Sequence, residues 1–365
     1  AMAKSGAHRR LAVGLVRLVG GGGGRRLVLG FMLATALCSM WISNTATTLM
    51  MLPVALAILE QDERGQLRLP LLLGIAYAAS IGGLGTPVGT PPNVIFMGIY
   101  KEATGTEVAF LDWMKIGIPA VCVLLPGAWL HLTRRLKETQ PLTLPALEQW
   151  SVAERRVLIV FAITAFLWVF RTGPYGGWSA LLQITGAGDS TIALGAVVAL
   201  FVISDGRDGR LLDWESANQI PWGLLLLFGG GIAIARAFEA SGLSVTVGSF
   251  LVDDLGLATW PVVLMMVVMC FVVTFLTEVT SNTATTTLLM PILAAAGIAA
   301  GIDPARWMIP AALSASCAFM LPVATAPNAI IFGTDRVSTK EMAREGFALN
   351  VFGVVSLTAI CTLLL

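Results

Sequence analysis

Two copies of one polar motif interrupt apolar stretches of the chain, and their residues could bind ions. The run Ser43–Thr48 reads SNTATT, and the same six letters recur at Ser281–Thr286. An Asn side chain offers an amide oxygen to a cation and N–H donors to an anion, and Ser and Thr hydroxyls can serve either ion. The two motifs are therefore candidates for a site that holds a cation and an anion together.

Prolines and small residues form a second duplicated motif. The run Pro87–Asn93 reads PVGTPPN, and Pro322–Asn328 reads PVATAPN. Proline has no N–H and stops a helix from closing over such a break. Backbone groups freed inside a membrane must be satisfied by protein or by a water-filled cavity. We expect both breaks to line a site, with the carbonyl groups of Gly89 and Ala324 available to a cation.

A hydroxyl residue precedes each SNTATT motif. Ser39 lies four residues before Ser43, and Thr277 lies four residues before Ser281. Residues four apart share a face of a helix, which predicts two hydroxyls on one helical face in each half of the chain. Hard cations prefer oxygen ligands, so these hydroxyls and the Asn residue that follows them are candidate cation ligands.

Glu278 is an acidic residue in a strongly apolar run. A carboxylate at membrane depth is costly and marks a functional site by default, which makes a proton or cation site one interpretation. Pairing with a backbone group or with a basic residue is the other. By the spacing of the two motifs its counterpart is Met40, so Glu278 is not part of the duplicated set.

The two halves of the chain form an internal repeat. The spacing between the two SNTATT motifs equals the spacing between Pro53 and Pro291. The spacing between the two proline motifs is shorter by less than one helical turn, and so is the spacing between Ser5-Gly6 and Ser241-Gly242. In the second half, residues 156–240 precede this last pair, whereas the first half has almost none there. We therefore expect the chain to begin inside its first repeat.

The composition identifies the class of protein. Of the 365 residues, 56% are hydrophobic and 12% are charged, against a usual charged share of about 25%. Apolar runs of about 20 residues, the length of a spanning helix, predict an all-α polytopic membrane protein. The net charge of +1 gives no reason to expect nucleic acid as a partner. The sequence contains no nucleophile–base pair, phosphate-binding loop or Cys/His metal motif, so we do not expect an enzyme.

The predicted organisation is two repeats joined by a linker. Residues 1–133 form the first repeat, with an interfacial helix (7–19), an inner hairpin (25–60), a broken helix (69–105) and a helix (110–133). Residues 134–155 contain two prolines and several charges and form a cytoplasmic linker. Residues 156–365 form the second repeat, with scaffold helices (156–204), a helix (219–240), an outer hairpin (258–300), a broken helix (304–334) and a helix (345–365).

Charges predict opposite orientations for the two halves. Arg25-Arg26 stand before the first hairpin, and basic loops face the cytoplasm. Asp253-Asp254 stand before the second hairpin, which places that turn outside. A motif reached from inside in one half and from outside in the other is typical of transporters with inverted repeats.

The duplicated motifs resemble those of the divalent anion/sodium symporter family of dicarboxylate, citrate and sulfate carriers. Each SNT signature is followed by a TPPN-like break, Thr90–Asn93 in the first half and Thr325–Asn328 in the second, where Ala326 replaces the first proline. The resemblance implies two re-entrant hairpins tipped by the SNT residues and two broken transmembrane helices. It also implies a homodimer in the lipid bilayer of the bacterial inner membrane and an elevator motion of one domain against a scaffold.

The resemblance also implies the residues of the site. One Na⁺ would be bound near Ser39, Ser43, Asn44 and Gly89, and a second near Thr277, Asn282 and Ala324. The carboxylates of the substrate would lie on Asn44, Thr45, Thr90, Asn282, Thr283 and Thr325.

Na⁺-coupled symport of C4 dicarboxylates such as succinate, malate and fumarate is the function we predict, with Na⁺ as the coupling ion. Arg171 and Arg236 fall near segment ends, where long basic side chains reach the membrane interface. If no Arg reaches the site, bound Na⁺ has to supply the positive charge that a dicarboxylate needs. The alternatives are a Na⁺-independent dicarboxylate exchanger on the same fold and an inorganic-anion permease or channel.

Overall fold

The protein is helical throughout the part that the structure describes. The computed structural model describes residues 1–19, 23–62, 64–136, 149–173, 176–184, 186–220, 222–243 and 260–365, with the single residues 246, 250 and 256. Over these residues the only extended pairing is an isolated bridge between Ser204 and Arg210.

Over the described residues the chain forms seventeen helices. The first seven are α1 (Met2–Ser5), α2 (Ala7–Val19), α3 (Gly24–Ser39), α4 (Asn44–Leu59), α5 (Arg68–Gly83), α6 (Pro91–Thr104) and α7 (Phe110–Thr133). The next five are α8 (Val152–Val169), α9 (Gly177–Leu181), α10 (Asp189–Val202), α11 (Trp214–Ala217) and α12 (Trp222–Ala240). The last five are α13 (Val262–Leu276), α14 (Asn282–Ala299), α15 (Ala305–Ala315), α16 (Ala326–Phe332) and α17 (Thr339–Leu364).

Each SNTATT motif separates two helices. In the first half α3 ends at Ser39 and α4 begins at Asn44, with Ser43 as the residue that caps α4. In the second half α13 ends at Leu276 and α14 begins at Asn282. Helix α3 begins one residue before the predicted inner hairpin, and the rest of both helix pairs lies within the residues predicted for the two hairpins. Residues 258 and 259 of the predicted outer hairpin are outside the described residues.

The proline motifs also separate two helices each. Helix α5 ends at Gly83 and α6 begins at Pro91, while α15 ends at Ala315 and α16 begins at Ala326. Prolines occupy both of the first two positions of α6 and the second position of α16. Proline suits these positions because the first N–H groups of a helix have no partner within the helix. The breaks lie within the residues predicted for the two broken helices.

Two predicted boundaries are wrong. Helix α8 begins at Val152, inside the predicted linker 134–155, and α17 begins at Thr339 rather than 345. Each start has a capping box, formed by Ser151 with Glu154 and by Ser338 with Glu341. The serine hydroxyl accepts from the backbone N–H of the glutamate, and the glutamate carboxylate accepts from the backbone N–H of the serine. The charged first turns hide both starts from a search for apolar runs. Linker residues 137–148 are outside the described residues.

The repeat extends to turns that the motifs do not cover. Gly6 and Gly242 have φ angles of 78° and 73°, and Gly65 and Gly301 have φ angles of 62° and 65°. The two pairs have the same spacing along the chain. A positive φ is a conformation that glycine adopts readily, so the two halves have glycine in the same backbone conformation at matching positions. The turn Asp253-Asp254 is outside the described residues.

The hairpins and the broken helices pack together into one body. Helix α5 packs against α3, α4 and α7, and α14 packs against α6, α12 and α15. Helix α10 packs against α8, and α8 also packs against α1, α2 and α7. Among the described residues, three helices are long and apolar enough to cross a membrane by length and composition, namely α7, α14 and α17.

Candidate functional site

A cavity of about 740 Å³ lies where the two hairpin tips meet the two breaks. Both halves of the chain contribute matching residues to its wall. The predicted substrate-binding residues Asn44, Thr45, Thr90, Asn282, Thr283 and Thr325 all line it. Asn44 and Asn282 are also predicted cation ligands, and three further predicted cation ligands line the cavity, namely Ser43, Gly89 and Ala324.

Four helices begin at this cavity. The first residues of α4, α6, α14 and α16 are Asn44, Pro91, Asn282 and Ala326, and all four line the cavity wall. The N-terminus of a helix carries free N–H groups and a partial positive charge, which attract anions. Prolines remove N–H groups from the first turns of α6 and α16. The termini of α4 and α14, one from each half, therefore provide the free N–H groups for an anion with two negative groups.

The cavity wall is uncharged. Among the described residues that line it, none has an acidic or basic side chain. Arg171 instead forms ion pairs with Glu107 and Asp189, and Arg236 forms an ion pair with Glu102. No arginine therefore supplies positive charge to the described part of the cavity wall, and no titratable group lies in it.

Three oxygen atoms converge behind the first hairpin tip. The hydroxyl of Ser39, a fully buried residue, lies 2.7 Å from Asn44 Oδ1 and 2.7 Å from the carbonyl oxygen of Ala79. A serine hydroxyl has only one proton to donate. The hydroxyl can therefore donate a hydrogen bond to only one of the two acceptor oxygens at a time. Three oxygen atoms with a single shared proton form a negative environment that favours a cation.

The second hairpin reproduces this cluster with a threonine. Thr277 Oγ1 lies 2.6 Å from Asn282 Oδ1 and 3.1 Å from the carbonyl oxygen of Ala315, and Thr277 is fully buried. Ala315 is the last residue of α15, where helix carbonyls are free to bind cations, and Ala79 lies about one turn before the end of α5. The structure thus brings Ser39 together with Asn44, and Thr277 together with Asn282, as two separate clusters.

The alanine carbonyls are site features that sequence reasoning missed. A carbonyl group belongs to every residue, so Ala79 and Ala315 carry no sequence signal of their own. Gly83 was missed as well. A Cβ atom on Gly83 would lie 2.8 Å from Asn44 Oδ1 and 3.2 Å from Thr90 Cβ, so the absence of a side chain lets α5 approach the first hairpin tip.

The prediction that Ser39 shares one helical face with Ser43, and Thr277 with Ser281, is wrong. Helix α3 ends at Ser39, and Ser43 has an extended backbone with its hydroxyl accepting from Ala46 N at 3.3 Å. Thr277 and Ser281 both lie between the end of α13 at Leu276 and the start of α14 at Asn282. The hydroxyls of Ser39 and Thr277 turn towards the Asn side chains instead, because the helix no longer continues beyond them.

Glu278 pairs with backbone groups, the second of the two interpretations open at the sequence level. The residue is 3% exposed, and its two carboxylate oxygens accept from Met320 N and Leu321 N, each at 2.9 Å. Asn350 Nδ2 donates to Glu278 Oε1 at 2.7 Å. The carboxylate thus fixes the outer hairpin to the second break and does not line the cavity.

The chain is similar to known transporters along most of its length. Residues 1–309 match the citrate transporter family. The chain is 40% identical to the sodium-dependent dicarboxylate transporter SdcS of Staphylococcus saprophyticus, over 97% of this chain and 72% of that protein. It is 39% identical to the protein of the same name from Staphylococcus aureus strain bovine RF122, with the same coverage.

A solved structure shares the fold. The crystal structure of the YdaH transporter of Alcanivorax borkumensis matches with a TM-score of 0.67, covering 98% of this chain and 82% of that chain at 16% sequence identity. At this identity the likeness concerns the fold alone. Together with the helices described above, it confirms the predicted all-α fold.

Proposed function

The chain belongs to the divalent anion/sodium symporter family, and from this premise we propose that it couples the uptake of C4 dicarboxylates such as succinate, malate and fumarate to Na⁺. The predictions of the family, of a membrane protein and of a transporter rather than an enzyme are confirmed. The relatives named sodium-dependent dicarboxylate transporters support Na⁺ as the coupling ion and a dicarboxylate as the substrate.

The observation that best supports this function is the uncharged cavity between the two matching hairpin tips. A dicarboxylate has a negative group at each end, and the cavity presents an Asn, a neighbouring Thr and a helix N-terminus from each half. One carboxylate binds Asn44, Thr45 and Thr90, and the other binds Asn282, Thr283 and Thr325. Neutral donors and helix N-termini hold both groups.

Coupling follows from the shortage of positive charge. The two oxygen clusters lie directly behind the tips, because Asn44 and Asn282 belong to a cluster and to the cavity wall at once. Na⁺ bound in each cluster orients the Asn side chain, so that its amide nitrogen is free for the substrate, and adds a positive charge next to the carboxylate. Without Na⁺ the divalent anion gains too little to offset its loss of hydration.

Transport proceeds by an elevator motion in a homodimer. The tightly packed body of hairpins and broken helices carries the cavity, and α8 and α10, which pack against each other, belong to the scaffold. The membrane is the bacterial inner membrane. The ligand sets are those predicted from the sequence: Ser39, Ser43, Asn44 and Gly89 for one Na⁺, and Thr277, Asn282 and Ala324 for the other.

The test is uptake of labelled succinate into proteoliposomes under an inward gradient of Na⁺ or of K⁺, with and without internal succinate. Uptake that follows the Na⁺ gradient alone supports symport. Uptake that needs internal succinate and ignores Na⁺ would mean an exchanger, and the cation sites would then be withdrawn. Conductance without saturation would mean a channel.

A further inference from the structure

Buried polar atoms without a partner recur at matching places in the two halves. Ser80 and Ser316 are 1% and 0% exposed, and Asn93 and Asn328 are both 0% exposed. The Oγ atoms of these serines and the Oδ1 atoms of these asparagines have no hydrogen-bond partner among the described residues. Each serine directly follows the alanine whose carbonyl joins an oxygen cluster, and each asparagine closes a proline motif. An unsatisfied buried polar group destabilises a fold, so a duplicated set points to a ligand.

The side-chain NH₂ groups fix the orientation of the two asparagines. Each donates to two carbonyl oxygens beside the break: Gly83 and Thr86 for Asn93, at 3.0 and 2.8 Å, and Ala318 and Leu321 for Asn328, at 3.2 and 3.0 Å. Because both N–H groups are directed at carbonyls, each Oδ1 faces away from them. That oxygen is free to accept a hydrogen bond from water or to contact a cation.

The residues that carry these oxygens are linked to the two oxygen clusters through the chain and through Gly83. Ser80 is the neighbour of Ala79, whose carbonyl contacts Ser39, and Ser316 is the neighbour of Ala315 in the second cluster. The link to Asn93 runs through Gly83, which accepts from it and packs against the Asn44 side chain. Each serine therefore lies at the end of the half-helix that supplies a carbonyl to the cluster, and each asparagine lies on the half-helix across the break.

Hard cations take about six oxygen ligands, and the proposed ligand sets, with the carbonyls of Ala79 and Ala315 added, supply five at one site and four at the other. We propose that Ser80 with Asn93, and Ser316 with Asn328, extend the two cation sites and contact the coupling ion together with the water it carries. This inference rests on the proposed function. It adds four side chains to those that the SNT motifs and the breaks predict.

Two serine variants test the proposal. Ser80→Ala and Ser316→Ala are compared with the parent protein and with Ser356→Ala, which removes a hydroxyl from a buried serine of α17. Thermal melting of the purified protein is recorded over a series of NaCl concentrations, with choline chloride keeping the ionic strength constant. Succinate uptake is measured over the same series, and again with Li⁺ in place of Na⁺.

A role in binding the hydrated ion has a signature that a packing role lacks. In choline the two variants melt at the same temperature as the parent or higher, because an unsatisfied buried hydroxyl has been removed. They need about tenfold more Na⁺ to reach half of the Na⁺-dependent rise in melting temperature. The Na⁺ concentration for half-maximal uptake rises by the same factor, whereas the uptake rate at saturating Na⁺ is unchanged. The ratio of Li⁺-driven to Na⁺-driven uptake changes only in these two variants.

Three outcomes would go against the account in different ways. The extended sites would be overturned if Ser80→Ala and Ser316→Ala lowered the melting temperature by the same amount at every Na⁺ concentration. They would also be overturned if the Na⁺ titrations of these variants coincided with those of Ser356→Ala. Either result would leave the proposed function unchanged. A parent protein that neither gains stability from Na⁺ nor transports in response to it would overturn the proposed function itself.

Discussion

At the scale of single residues, Asn44 and Asn282 connect the two kinds of binding. Each gives its Oδ1 to an oxygen cluster and lines the cavity. Replacement by alanine removes a cation ligand and a substrate donor together. We expect Asn44→Ala and Asn282→Ala each to lower succinate uptake by about a hundredfold, equivalent to roughly 3 kcal/mol.

The matched control is Asn218→Ala, at an exposed asparagine that follows α11. It is expected to transport like the parent at equal amounts of protein in the membrane. Normal uptake by Asn44→Ala or Asn282→Ala would remove that residue from the site.

The two halves differ by one methyl group at Gly83, because the second half has Ala318 at the equivalent position. A methyl group on Gly83 would press on Asn44 Oδ1 at 2.8 Å. We expect Gly83→Ala to raise the Na⁺ and succinate concentrations for half-maximal uptake about tenfold, in line with overpacking costs of about 1–3 kcal/mol.

Gly195→Ala is the control for this substitution, since a Cβ atom there meets nothing within 4 Å. Uptake titrations of the two variants give the comparison. If Gly83→Ala matched Gly195→Ala, the close approach of α5 to the hairpin tip would have no role in binding.

At the scale of elements, the second break is held by a carboxylate and the first is not. Glu278 accepts from the backbone of Met320 and Leu321 and from the side chain of Asn350. At the matching place in the first half, the Thr86 hydroxyl donates to the carbonyl of Met40, and Trp113 Nε1 donates to the carbonyl of Leu84 at 2.8 Å.

Glu278→Gln leaves too few acceptors for these three donors and turns an NH₂ group towards them. We expect a loss of stability of about 3 kcal/mol, seen as a lower melting temperature at every Na⁺ concentration. Glu60→Gln, at an exposed glutamate that follows α4, is the control. An unchanged melting temperature in Glu278→Gln would contradict the structural role assigned to the carboxylate.

Elements were predictable where polarity changes sharply along the chain. The tips at Asn44 and Asn282 and the breaks before Pro91 and Ala326 follow from polar or proline residues inside apolar runs. The starts of α8 and α17 were not, because their first turns carry capped charges. The carbonyls of Ala79 and Ala315 reach the site only through the packing of α5 and α15, which no local pattern encodes.

At the scale of the whole molecule, the elevator proposal requires the body that carries the cavity to slide past its neighbours. Glu102 on α6 and Arg236 on α12 form an ion pair of 2.7 Å. If α12 belongs to the scaffold, cysteines at these two positions, joined by a short bifunctional thiol reagent, will stop uptake, and a cleavable reagent will let it recover on reduction.

The control pair is Asp112→Cys with Lys115→Cys, which lies within α7. Linking residues of one helix restricts no motion between bodies and should leave uptake intact. Full uptake after verified linkage of positions 102 and 236 would contradict movement between α6 and α12.

The central claim is that an uncharged cavity binds a divalent anion only when cations occupy the neighbouring clusters. Equilibrium binding of labelled succinate to the purified protein tests it most directly, in Na⁺ and in choline at equal ionic strength. Because linkage is reciprocal, the account predicts that Na⁺ tightens succinate binding and that succinate tightens Na⁺ binding by the same factor. Equal succinate affinity in Na⁺ and in choline would contradict the account.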